Sequence, residues 1–117
     1  MEKIFLFGTD EKTADYISKI AGNMRIKTSS VPFDLYENRI GDIIDKKAVP
    51  GNCSCVPQES LILFCDVSEK HLDAVVAKLR QSQHNVDYKA VLTRNNREWS
   101  VKRLFFAMEQ ERKAYGK

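Results

Sequence analysis

The sequence predicts an α/β fold with a four-stranded sheet, and three observations carry that expectation. Two continuous apolar runs, Ile4–Phe7 and Leu61–Phe64, read as strands covered on both faces. Each is followed by a capping residue and an amphipathic helix, and each helix by a further strand. At 117 residues, 43% hydrophobic and 30% charged, the chain has the size and composition of one ordinary domain, 1–117.

Taken in order, Gly8 bounds the first strand, and Thr9 or Asp10 can cap the next helix by accepting from its orphan amides. Ile17, Ile20, Ala21 and Met24 then follow i, i+3, i+4, i+7 spacing, and Gly22-Asn23 are expected to stop the helix. Arg25–Val31 is more polar and reads as an edge strand, ended by Pro32, which cannot donate into a ladder. Tyr36, Ile40, Ile43 and Ile44 keep helical spacing, weakened at Gly41. Residues 45–59, with Pro50-Gly51, Cys53-Ser54-Cys55 and Pro57, read as a long irregular connection. Beyond Leu61–Phe64, Ser68 caps a helix with Leu72, Val75, Val76 and Leu79 on one face. A polar connection leads to the strand Asp87–Leu92. A turn over Thr93–Trp99 then opens onto a last helix with Val101, Leu104, Phe105 and Met108 at the same spacing.

The order is βαβα twice, and the halves match. Ile4–Phe7 falls on Leu61–Phe64, Asp10-Glu11-Lys12 on Ser68-Glu69-Lys70, and Ile40, Ile43 and Ile44 on Val101, Leu104 and Phe105. The period exceeds that of solenoid repeats, which favours a duplicated half-domain with pseudo-repeats 1–50 and 60–117. Apolar central strands and right-handed crossovers favour a parallel sheet in the order 2-1-3-4. The alternative is a ferredoxin-like antiparallel α+β sandwich, which also centres strands 1 and 3.

The segment Leu61–Trp99 resembles a small bacterial family known only as a domain of unknown function, number 3783. The resemblance rests on the apolar strand, the Ser-capped helix, and Lys89-Ala90-Val91-Leu92-Thr93, Asn96 and Trp99 at the family's spacing. That family commonly has proline after the threonine and a second asparagine before the tryptophan; Arg94 and Glu98 stand there in this chain. The resemblance implies a bacterial cytoplasmic protein and assigns no catalytic residue.

Composition narrows the function classes. A formal charge of +3 is a mild excess, too small by itself to argue nucleic-acid binding. The opening apolar run is too short for a signal-peptide core, and no run reaches the length of a membrane span. Three cysteines suit a reducing compartment, so the expected location is the cytoplasm. Glycine is scarce and no dinucleotide or Walker loop occurs, so no cofactor is expected. Two histidines, neither at a strand tip, give no basis for a catalytic triad.

Two function classes remain. The favoured one is a non-catalytic binding or regulatory module with an anion-accepting surface at the strand tips. Arg94, Arg97, Lys102 and Arg103 put four cations within ten residues, around the start of the last helix. Thr9, Asp66, Arg94, Asn96, Arg97 and Trp99 form the candidate ligand-binding set, with a small anion or a protein as partner. Asn96 has a second reading as a helix cap, with Asn95 and Glu98 as a capping-box pair. The alternative class is a thiol or metal protein using Cys53-x-Cys55 and Cys65, with His71 or His84 as a fourth ligand.

Overall fold

Four strands, β1 (Lys3–Phe7), β2 (Lys27–Val31), β3 (Leu61–Cys65) and β4 (Tyr88–Val91), form one sheet in the order β2-β1-β3-β4. They belong to a computed structural model that describes residues 1–52 and 56–116. The expected order holds, and the expected direction is corrected at its centre. β1 runs parallel to β2 and β3 parallel to β4, but β1 and β3 are antiparallel. The sheet is therefore mixed, neither all-parallel nor ferredoxin-like.

The central direction decides where the helices go. α1 (Glu11–Asn23) and α3 (Glu69–Gln81) each return the chain between two parallel strands. Such crossovers are right-handed, and reversing one βαβ unit against the other brings both helices to one face. There Ile17, Ile20 and Ala21 of α1 and Val75 and Leu79 of α3 pack with Ile4, Leu6, Ile62 and Phe64 of the strands. Tyr16 of α1 donates its hydroxyl to the Lys78 carbonyl of α3 at 3.2 Å. The alternate strand residues Phe5, Phe7, Leu61 and Leu63 are buried too, as continuous apolar runs require.

Capping is local and follows the sequence. Asp10 accepts from the Thr13 amide at 2.7 Å and Ser68 from the His71 amide at 3.2 Å. Gly22 and Asn23 do not stop α1, which runs through both. Arg25 stops it in the left-handed region (φ 62°), where Ile26 N–H reaches Ala21 O and Arg25 N–H reaches Gly22 O.

The chain divides into two compact units, each drawn from both halves of the sequence. Unit 1 is Met1–Val31 with Glu59–Val91, the sheet with α1 and α3. Unit 2 is Pro32–Gln58 with Leu92–Lys117. In unit 2 the expected helix over Tyr36–Ile44 splits into a 3-10 turn, Phe33–Leu35, and a short α2 (Ile40–Ile44). A second 3-10 turn, Asn96–Glu98, precedes α4 (Val101–Gly116). Arg39 and Ser100 form an antiparallel bridge, flanked by Ile40 N–H to Trp99 O (2.8 Å) and Val101 N–H to Asn38 O (3.2 Å). The break falls at Arg39, which is extended (φ −69°, ψ 146°) where it pairs with Ser100, while Tyr36 keeps helical dihedrals (φ −67°, ψ −18°) with its ring fully buried and stacked at 5.8 Å on Phe105.

Candidate functional site

The turn after β4 is built by two side chains that satisfy each other's backbone. Thr93 Oγ1 accepts from the Asn96 amide at 3.0 Å, and Asn96 Oδ1 accepts from the Thr93 amide at 2.7 Å. This is a capping box with asparagine in the position usually held by Glu or Gln. It pairs Asn96 with Thr93 rather than Asn95 with Glu98. Asn96 is 7% exposed, so its carbonyl oxygen is spent on the turn.

The start of α4 is equally occupied. Val101 N–H donates to Asn38 O, Lys102 N–H to Tyr36 O, and Leu104 N–H to Ser100 O. Arg103 N–H is taken by the Ser100 hydroxyl at 3.1 Å. The expectation of free amides for an anion at this helix start is therefore corrected: tertiary pairing and a serine cap consume them.

What remains are side chains, and they divide cleanly. Arg97 Nη2 donates to both carboxylate oxygens of Asp45, at 3.1 and 3.0 Å. Its stem lies over α2 because residue 41 is glycine: a Cβ there would meet Arg97 Cγ at 3.0 Å and Arg97 O at 3.2 Å. Arg39 is shared between Glu98 (3.1 Å) and Asp42 (3.5 Å), and Lys102 reaches Glu37 at 3.2 Å. Arg39, Gly41, Asp42, Asp45, Arg97 and Glu98 line an open cleft of about 100 Å³ whose charges are paired across it. By contrast, among the described residues neither Arg94 nor Arg103 has a carboxylate at ion-pair distance. Both are exposed. Arg103 lies over the half-buried Trp99 ring, its guanidinium carbon 4.7 Å from the centroid.

Thr9 and Asp66 belong to unit 1, and the antiparallel centre of the sheet separates them. Phe7 pairs with Leu61 and Lys3 with Cys65, so Thr9 follows β1 at one end of the sheet and Asp66 follows β3 at the other. The expectation that both sit at one row of strand tips is corrected, since it required a parallel β1–β3 pair. Next to Thr9, the Thr13 amide holds the Asp10 carboxyl below its usual range. At the Asp66 end, Glu2 accepts from the Ser68 amide (2.7 Å) and faces His71 Nδ1 (2.9 Å). Those two contacts hold the Glu2 carboxyl low, the Ser68 amide most strongly.

Cys53 and Cys55 lie outside the described residues, so the thiol reading meets the structure only at Cys65, which is buried at the end of β3. His84 is engaged elsewhere, stacked on Tyr16 at 4.7 Å with Nδ1 3.4 Å from the Thr13 hydroxyl. Among the described residues no three His, Cys, Asp or Glu side chains are placed to hold a metal ion. Among them, too, no helix is long and apolar enough to cross a membrane.

One family model matches the chain. It is described as a domain of unknown function (DUF3783), and it covers residues 60–115. The match therefore spans β3, α3, β4, the capping-box turn and nearly all of α4. No curated protein and no solved structure gives a significant match.

Arg39, Gly41, Asp45 and Glu98 escaped sequence reasoning as partners of the turn. The charge spacing alone did not pair them, because Arg97 and Asp45 are brought together only by the bridge at Arg39 and Ser100. One signal was legible in retrospect: a glycine inside a helical pattern marks a close approach.

Proposed function

We propose that this chain is a non-catalytic binding module whose working surface is Arg94, Arg103 and Trp99, accepting an anionic group. The observation that carries the reading is the division of the cations. Arg97, Arg39 and Lys102 are neutralised by carboxylates, whereas Arg94 and Arg103 are not. A guanidinium laid on an indole keeps its N–H edges available for a carboxylate or phosphate while its face is covered. Asn96 and Arg97 support it structurally.

The reading extends to the whole chain as one duplicated domain, 1–117, in the bacterial cytoplasm. Duplication is supported by the order β, α, β, 3-10 turn, α in both halves. It is supported also by pairings that exchange with each other. Matching Ile4 to Leu61 and Phe7 to Phe64 turns the pair Ile4–Phe64 into Phe7–Leu61. Matching Asn38 to Trp99 and Ile40 to Val101 exchanges the two hydrogen bonds of the unit 2 bridge. Each unit takes chain from both halves, as one cooperative domain would require.

Trp99 is the only tryptophan, so its fluorescence reports on the surface directly. Titration with inorganic phosphate or sulfate at low ionic strength is expected to change Trp99 emission and raise the melting temperature. Arg94→Ala with Arg103→Ala is expected to remove the anion-dependent shift while leaving the ligand-free melting temperature near wild type. Absence of any anion response in the wild type would reject the reading.

A further inference from the structure

Resting on the reading above, we propose that the outer face of α4 docks an acidic, amphipathic segment of a partner protein. The segment's carboxylates meet Arg94 and Arg103, and its apolar residues meet Phe106.

The face is defined by helical geometry. Val101, Leu104 and Phe105 are buried, and at 100° per residue Arg103, Phe106 and Gln110 point the opposite way. Trp99 precedes Arg103 by four residues and carries its guanidinium, so an aromatic ring, a cation and a second aromatic ring follow one another along the stripe. Phe106 is 61% exposed, at the middle of a face that an ordinary surface helix fills with polar residues. A single exposed apolar side chain is common. A phenylalanine next to a half-buried tryptophan and an arginine without a carboxylate partner has instead the makeup of an interface anchor, where Trp, Phe and Arg are enriched.

Charge selects the occupant. Unit 1 carries nine cationic and nine anionic side chains, unit 2 ten and seven, so the whole net charge of the protein resides in unit 2. Within unit 2 Arg39, Arg97, Lys102 and Lys113 have carboxylate partners; among the described residues Lys46, Lys47, Arg94 and Arg103 have none, and of these Arg103 lies on α4 and Arg94 in the turn that leads to it. An acidic segment supplies carboxylates to those two. A second copy would set one cationic unit against another, which like-charge repulsion opposes. A nucleic acid would require a row of unpaired cations along its phosphates, whereas the outer stripe of α4 holds Arg103, with Arg94 in the turn before it. A membrane surface calls for a cluster of four or more basic residues beside the apolar face.

The test uses the full chain and four probes. They are a synthetic amphipathic peptide of Glu and Leu, its Lys and Leu counterpart, single-stranded oligothymidylate, and phosphatidylserine vesicles. A saturable change in Trp99 emission with the Glu/Leu peptide alone is the expected result. Phe106→Ala is expected to weaken that binding about tenfold while leaving the phosphate response and melting temperature unchanged, since its ring is exposed. Arg103→Glu is expected to abolish the binding. Equal response to the Lys/Leu peptide, tighter binding of the oligonucleotide or vesicles, or concentration-dependent dimerisation in sedimentation would each overturn the proposal. If phosphate still shifts the melting temperature through Arg94 and Arg103 when the Glu/Leu peptide does not bind, docking falls and the anion surface stands. If phosphate fails too, both fall.

Discussion

Gly8 has the least freedom to change. Its φ of 71° lies in the left-handed region, and a Cβ would stand 2.8 Å from the Glu59 carbonyl oxygen, part of the backbone facing the end of β1. Gly8→Ala combines αL strain with a clash that no side chain can relieve, so a loss of about 2 kcal/mol or more is expected from denaturant titration. Arg25 is the reverse case: exposed, at φ 62°, with no glycine where a Schellman turn favours one. Arg25→Gly is expected to stabilise by roughly 0.5 kcal/mol, the relief of αL strain less the added freedom of the unfolded chain. Glu2 links stability to pH. Its folded value is depressed by the Ser68 amide and His71, so its contribution is fully present above the ordinary glutamate range. That contribution is lost as pH falls through the depressed folded value. Melting curves of wild type and Glu2→Gln should differ near neutrality and converge in acid.

At the scale of elements, the fit of α2 against the second 3-10 turn is decided by one missing methyl group. Gly41→Ala gains up to about 1 kcal/mol of helix propensity. It presses on Arg97 Cγ and on the Arg97 carbonyl at 3.0 and 3.2 Å, and crowding of this kind costs about 1–3 kcal/mol. A net loss of about 1 kcal/mol is expected in the wild type. In an Arg97→Ala background the side-chain half of the clash is gone, and Gly41→Ala should be close to neutral. A double-mutant cycle measures that coupling directly, and additive losses would show that Arg97 does not rest on Gly41. The capping box gives a separate expectation. Asn96→Ala should lower stability by about 1 kcal/mol, as cap losses do, while Arg94→Ala should not.

At the scale of the whole molecule, β1 and β3 join the two halves through the centre of the sheet. A fragment of residues 1–52 retains only β1 and β2 of the sheet, and two strands with α1 and the five-residue α2 bury too little to persist alone. Its far-UV circular dichroism is expected to be that of an unfolded chain. An independently folded fragment would contradict a single cooperative domain.

Much of this fold was legible because its signals are local. Ile4–Phe7 and Leu61–Phe64 announce buried strands by composition, Asp10 and Ser68 announce helix starts by hydrogen-bonding capacity, and Val101, Leu104 and Phe105 announce a buried face by spacing. Strand order followed from the same information. Direction did not. An apolar run says that both faces of a strand are covered, and it reads the same whichever way its neighbour runs. Likewise the cations of the last turn were visible as charges, but their partners were not. Arg97 meets Asp45, and Ser100 and Asn38 close over the start of α4, only because distant segments pair across the Arg39–Ser100 bridge. The sequence by itself determined the elements and their buried faces. Tertiary pairing decided the sense of the central strands and which arginines of the last turn met a carboxylate, because both depend on contacts between residues far apart in the chain.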